Sequence, residues 1–190
     1  MIRKLEKEVL SKEIRFKDIQ ISNINDLMKI DKSFKDVVPI LLKHIREIVD
    51  ESDKQFLVRC LGVKGFTEAT EDLITEFKNS RNLSYKWAIG NTLSIIQDKS
   101  KVEELLEIIQ DKKHGIARQM LIIAVAKMKE KKGIPILLDL LNDEEVNGHV
   151  ISGLAYYKDP KLIPYIEPLT NHPISWIRNE AIKIVGKFKR

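Results

Sequence analysis

The chain has 190 residues, of which 43% are hydrophobic and 32% charged, and its formal net charge is +5. A single cysteine excludes an intrachain disulfide and a cysteine-based zinc site, and no apolar run approaches the roughly 18–20 residues that span a bilayer. The positive excess is too small for the dense basic stripe of a dedicated nucleic-acid-binding protein, and the N-terminus lacks the apolar core of a signal peptide. We therefore expect a folded cytoplasmic protein without a metal or cofactor.

Residues 1–33 precede the regular part of the chain. Their apolar residues follow a helical spacing at first and a less regular one afterwards: Ile2, Leu5, Val9, Leu10, Ile19, Ile21, Ile24 and Leu27. Because the end of a repeat array needs a covering layer, we predict that residues 1–33 form an N-terminal helical cap.

A short phrase recurs from residue 34 onwards, consisting of an apolar residue followed by a basic or amide residue. Successive copies are separated by 27, 32, 29 and 31 residues, and they are Val58-Arg59, Tyr85-Lys86, Ala117-Arg118, Val146-Asn147 and Ile177-Arg178. A period near 30 is typical of stacked helical units that are each too small to bury their own apolar face. Residues 34–190 are therefore predicted to form one continuous array.

Each unit is predicted to contain two helices joined by a short turn. The first helices are expected at 53–65, 82–96, 114–129, 145–157 and 173–188, with polar N-terminal residues Asp53, Asn82, Asp143 and Asn171. Three second helices have apolar residues at i, i+3, i+4 and i+7, whereas Glu167 interrupts this stripe in the last one, and three begin with an apolar residue and proline. Their starting residues are Val38, Val102, Ile134 and Ile163, with a shorter helix around Leu73.

These phrases resemble the HEAT-repeat family, of the armadillo type, and especially the short bacterial repeats related to those of phycobilisome lyases. The matching stretches are residues 58–59, 158–164 and 177–186, and the resemblance covers residues 34–190. It implies an all-α, right-handed α-α superhelix, a HEAT-like solenoid of about five helix pairs with capping helices. It also implies a non-catalytic scaffold whose second helices line a concave groove. Asn147 and Lys86 depart from the arginine that is usual in the family.

On this resemblance, the concave groove is the expected binding surface. Its charge changes from basic through acidic to apolar along the array, which favours a basic or mixed peptide with an apolar anchor and disfavours a polyanion. The acidic cluster is predicted at Glu103, Glu104 and Glu107. The remaining contact residues are predicted to be Ile136, Asp139, Leu140, Tyr165 and Leu169.

Basic residues on the first helices and turns leave a nucleic-acid-binding function open. The residues predicted on this convex face include Lys86, Arg118, Lys127, Lys131 and Lys132. A HEAT-like alkylpurine DNA glycosylase is the enzymatic alternative, although no aspartate follows Trp87 one turn later as that class requires. A structural role is the stronger expectation for the repeated basic residue: Arg59 is expected to pair with Asp53, and Arg118 with Asp111.

The sequence offers little support for catalysis. The four histidines fall in different units, and no glycine-rich phosphate loop is present. Cys60 lies beside Arg59, which would lower the pKa of a thiol, but a buried unreactive cysteine is the stronger expectation. A lyase-like chaperone for a bilin would need cysteine, histidine or aspartate at an apolar pocket. Trp87 and Trp176 are expected to pack at repeat junctions rather than to bind a partner.

Overall fold

The computed structural model describes residues 15–16, 19–20 and 24–189, which are helical apart from two very short strands. Ten α-helices occur in these ranges, so the predicted all-helical class is confirmed. The chain divides into two compact units, Met1–Asp98 and Lys99–Arg190. Within the ranges given, no helix has both the length and the apolar character to cross a membrane.

The first unit begins differently from the predicted helical cap. β1 (Arg15–Phe16) pairs antiparallel with β2 (Ile19–Gln20), so that Arg15 lies opposite Gln20. The helix predicted over residues 2–10 lies outside the described residues. After the strands the chain forms two 3₁₀ helices, Ile24–Lys29 and Lys32–Val37.

Four α-helices complete the first unit. They are α1 (Val38–Glu47), α2 (Glu51–Cys60), α3 (Thr70–Asn79) and α4 (Leu83–Ile96). Helix α2 packs against both α1 and α4, and α3 packs against α4. The apolar stripes that the spacing predicted are buried at these contacts, as Leu41, Ile45, Leu73, Ile74 and Phe77 show. Burying such a stripe is the main stabilising contribution of a short amphipathic helix.

The boundaries of α2 differ from the predicted span of 53–65. The helix begins earlier because the Asp50 carboxylate, rather than that of Asp53, accepts a hydrogen bond from the backbone N–H of Ser52 at 2.8 Å. It ends at Cys60, and the chain then turns through Gly65, whose φ of 93° strongly favours glycine. At α4 the predicted cap is confirmed, since Asn82 Oδ1 accepts from the Tyr85 N–H at 3.1 Å.

The second unit contains six α-helices. They are α5 (Val102–Gln110), α6 (Arg118–Met128), α7 (Gly133–Asp139), α8 (Asn147–Leu154), α9 (Ile163–Ile166) and α10 (Ser175–Phe188). Helices α6, α8 and α10, all predicted first helices, pack against one another in chain order. Each second helix packs against the first helix that follows it, α5 on α6, α7 on α8 and α9 on α10.

Helix α6 begins four residues after the predicted start at residue 114. Lys112–Ala117 forms a 3₁₀ helix instead, with a kink at Gly115 (φ 52°, ψ −140°). Such dihedral angles are outside the α-region, so the α-helix starts only after the kink. The predicted span of 145–157 likewise shortens to α8, and the chain continues as a 3₁₀ helix over Ala155–Tyr157.

Helices α8 and α10 approach closely at Gly148. The Trp176 indole fills the space that a side chain at position 148 would occupy, and a Cβ built there would lie 1.8 Å from an indole carbon. Trp176 also contacts His149 edge-on, with ring centroids 5.9 Å apart. Trp176 thus packs between consecutive first helices as predicted, but it is not a core residue, since 51% of the side chain is exposed.

We predict that Gly148→Ala lowers the free energy of unfolding by about 1 kcal/mol, because displacing the indole outweighs the helix propensity gained by replacing glycine. The control is Gly186→Ala on α10, where a built Cβ meets nothing within 4 Å. That change should raise the free energy of unfolding by roughly 0.5–1 kcal/mol. Urea denaturation followed by tryptophan fluorescence measures both. Equal stabilisation by the two substitutions would show that the contact at Gly148 contributes nothing.

Candidate binding surfaces

The predicted acidic cluster lies on α5, which packs against α7. Glu103 forms an ion pair with Lys132, and Glu104 Oε2 lies 3.8 Å from Lys101 Nζ. Glu107 is exposed and has no ion pair with any residue in the described ranges. The three glutamates therefore differ, because an ion pair reduces the charge that Glu103 presents to a partner.

The predicted apolar contacts are divided between surface and core. Tyr165 on α9 is 55% exposed, whereas Ile136 and Leu169 are half-buried. Leu140 is only 8% exposed, so the expectation that it anchors a partner is wrong. The chain tightens after α7 into a 3₁₀ helix, Leu140–Asn142, which packs against α8 and buries Leu140 in the core.

Two of the residues predicted on the convex basic face are buried. The Lys86 ammonium lies 4.9 Å from the centroid of the Phe77 ring, and Arg118 has no exposed surface. Neither side chain is available to a nucleic acid, so both assignments are wrong. Lys127 is half-buried, and Lys131 and Lys132 are exposed. Since Lys132 pairs with Glu103, residues assigned to opposite faces meet at the turn before α7.

Arg118 is held by groups from three segments of the second unit. Its guanidinium donates to the carbonyl of Ile109 at 3.2 Å, to that of Gly115 at 2.9 Å and to Glu145 Oε2 at 2.8 Å. Nη1 also lies 3.0 Å from Asp143 Oδ2, a charge contact whose angles fall outside hydrogen-bond geometry. A buried guanidinium needs such partners, because a buried charge left unpaired is strongly destabilising.

The expected pairing of Arg118 with Asp111 is wrong. Asp111 accepts from the backbone N–H of Lys113 at 3.1 Å, and its other oxygen lies 2.5 Å from Lys113 Nζ. The carboxylates that contact Arg118 come instead from the turn before α8, which belongs to the following helix pair. Arg118 does join neighbouring helix pairs, as was expected of this basic residue, but its acidic partners differ from the predicted one.

The other members of the basic series do not repeat this arrangement. Arg178 donates to the carbonyls of His172 and Pro173 at 2.7 and 3.2 Å, and Arg59 is exposed. Asn147 is buried, and its Oδ1 accepts no hydrogen bond from the described residues. The repeated position therefore has no common role, and the expected pairing of Arg59 with Asp53 is wrong, since Arg59 forms no ion pair with any described residue.

The residues considered for catalysis are dispersed. Cys60 is buried, and desolvation raises the pKa of its thiol to about 12, so the neighbouring Arg59 does not activate it. Burial lowers the pKa of His149 below its usual value. The described ranges contain no group of three or more His, Cys, Asp or Glu side chains that could hold a metal ion.

Lys158 and Lys161 were not among the candidate binding residues predicted from the sequence. Both are exposed in the turn before α9. The available signal was positional, because Lys129 and Lys158 each follow the end of a first helix and precede an acidic residue, Glu130 and Asp159.

No protein-family model matches the chain. No curated protein matches it either.

We predict that Asp143→Asn weakens the acid dependence of stability. Burial raises the pKa of Asp143. The Arg118 guanidinium and the backbone N–H of Glu145 together lower the pKa by more, so that it lies below the usual value of an aspartate. A carboxyl whose folded pKa is depressed stabilises the fold above its unfolded pKa, about 3.9, and loses that contribution as pH falls through the folded value.

The free energy of unfolding should therefore be lower in Asp143→Asn near pH 7 and should fall less steeply than in the parent chain below about pH 4. Urea titrations between pH 2 and 7 measure this. Asp139→Asn is the matched control, since Asp139 is exposed and has no ion pair within the described ranges. Parallel acid limbs for the parent chain and Asp143→Asn would contradict the prediction.

Proposed function

We propose that the chain is a non-catalytic protein-binding module built as a HEAT-like solenoid. Five helix pairs follow one another in the described ranges, and consecutive first helices pack together within each unit, which supports this architecture. The proposed ligand is a basic peptide with an apolar anchor, bound to the second unit. A cytoplasmic location belongs to the same proposal and is supported by the single, buried cysteine.

The observation that carries the proposal is the pair of uncompensated carboxylates on α5 and α7. Glu107 and Asp139 are both exposed, and neither forms an ion pair with any described residue. Their helices pack against each other, so the two negative charges belong to one region of the second unit. Such charges attract and orient a basic ligand, and they accelerate its association.

Tyr165 supplies the proposed apolar contact. A tyrosine with 55% of its surface exposed can bury its ring on a partner, and its hydroxyl can remain hydrogen-bonded to water. Tyrosine is also enriched among residues whose truncation costs most at interfaces. The alternative of nucleic-acid binding through the convex basic face loses support at Lys86 and Arg118, because both are buried.

The test is selection of ligands by the full chain from a phage-displayed library of random peptides. We expect enrichment of peptides that combine lysine or arginine with an aromatic residue or leucine. The best peptide is then synthesised, and its affinity is measured by isothermal titration calorimetry. Glu107→Gln combined with Asp139→Asn should weaken binding roughly tenfold, about 1.4 kcal/mol, and Tyr165→Ala should do so to a similar extent.

The control combines Glu144→Gln with Asp53→Asn, which removes two exposed carboxylates elsewhere without changing the chemistry of the substitutions. Affinity should then change less than twofold. An equal loss of affinity in the control and test variants would show that binding depends on net charge alone. Failure to enrich basic peptides would refute the proposed ligand class.

A further inference from the structure

The turns of the second unit are joined to one another along one edge. Lys99 Nζ lies 2.7 Å from Glu130 Oε1, which connects the turn before α5 to the turn before α7. The Tyr157 hydroxyl donates to the backbone carbonyl of Glu130 at 3.1 Å, which connects the turn before α7 to the turn before α9. We call residues 129–132 and 158–161, which flank this last hydrogen bond, the turn edge.

The turn edge carries an excess of positive charge that the protein does not neutralise. The acidic residues nearby are already paired, Glu103 with Lys132, Glu104 with Lys101 and Glu130 with Lys99. Asp159 is half-buried and accepts from the backbone N–H of Lys161 at 3.0 Å. Four lysines are exposed and form no ion pair with any described residue: Lys129, Lys131, Lys158 and Lys161.

Two of these lysines occupy a backbone conformation that L-residues rarely adopt. Lys129 has a φ of 58° and Lys158 a φ of 53°, each directly after a helical segment. Glycine is the usual residue there, because a Cβ makes this conformation unfavourable by about 1 kcal/mol. Gln97, directly after α4, has the same conformation with a φ of 57°, so a residue other than glycine recurs at this kind of helix end. In the second unit both such residues are lysines, and both are uncompensated. Local strain of this kind is a reason to look for a function of the side chains.

We propose that the turn edge binds the phosphate backbone of nucleic acid without sequence preference. Lysine ammonium groups suit this role because they act as point charges on phosphate oxygens and read no base. Residues 129–132 and 158–161 include no large hydrophobic side chain that is exposed. An acidic protein partner fits less well, since the centre of a protein interface is depleted in lysine and needs an apolar anchor.

The number of lysines limits the strength of the interaction. Four phosphate contacts on a duplex give a slope of log affinity against log salt concentration no steeper than about −3.6, from roughly −0.9 per contact. Binding of this kind has dissociation constants of about 10⁻⁴–10⁻⁶ M at physiological salt. The turn edge shares no residue with the carboxylate pair Glu107 and Asp139, and its test does not depend on the peptide.

The experiment measures fluorescence anisotropy of a labelled 20-base-pair duplex of mixed sequence against the full chain, at several sodium chloride concentrations from 50 to 200 mM. The decisive variant is Lys129→Gly combined with Lys158→Gly, which removes two charges and relaxes the backbone. We expect affinity to fall about tenfold or more at 50 mM salt, and the salt slope to become shallower by about two. Urea denaturation should show unchanged or greater stability, because glycine suits both positions.

Lys131→Gln combined with Lys161→Gln tests the same edge without altering the backbone, and it should weaken binding similarly. The matched control is Lys64→Gln combined with Lys187→Gln, two exposed lysines outside the turn edge, and affinity should change less than twofold. Equal losses in control and test variants, or no binding by the parent chain at 50 mM salt, would overturn the proposal. So would tighter binding of labelled poly-L-glutamate than of the duplex, because the edge would then recognise an acidic polypeptide.

Discussion

The buried guanidinium of Arg118 is the interaction on which the arrangement of the second unit depends. Arg118 opens α6, yet its partners lie at the end of α5, at the kink of Gly115 and in the turn before α8. A single side chain thus fixes three segments, because each of its donors must find an acceptor away from water. The packing of α5 on α6 and of α6 on α8 requires those same positions.

Charge pairing within the protein decides which of its ionic residues are available to partners. From the sequence, Glu103 and Lys132 were both expected to be available to a partner. In the structure they form an ion pair with each other across neighbouring helix pairs. The residues left uncompensated include Glu107 and Asp139 on two helices and lysines on two turns. The net charge of +5 conceals this separation, since opposite charges cancel in a sum but not on a surface.

The helical class and most helix positions could be predicted from the sequence. The apolar residues of each helix recur every three or four positions, and proline marks the first turns of α1 and α9, so local chemistry was sufficient. Contacts between neighbouring helix pairs within the second unit could not be predicted in this way. Asp111 and Asp143 are equally plausible partners for Arg118 by residue type, and only the path of the turns decides between them. The burial of Leu140 depends similarly on the chain tightening after α7.

Predictions of surface exposure were wrong where a long basic side chain is buried inside the protein. Lys86 occupies a repeat position that was expected to be basic and accessible, but its ammonium turns inward onto the Phe77 ring. The Phe77 ring belongs to a different helix, α3, so the sequence of α4 alone does not encode this contact. The exposure of Glu107 could be predicted, because it lies outside the buried stripe of a regular amphipathic helix.

The close fit between Gly148 and Trp176 has an evolutionary consequence. One position contributes no side chain and the other contributes the largest, so the volume shared by α8 and α10 is divided in the most unequal way available. Substitutions at the two positions should therefore be correlated among relatives of this chain. A relative with a larger residue at position 148 is expected to have a smaller one at position 176, with their combined volume approximately conserved.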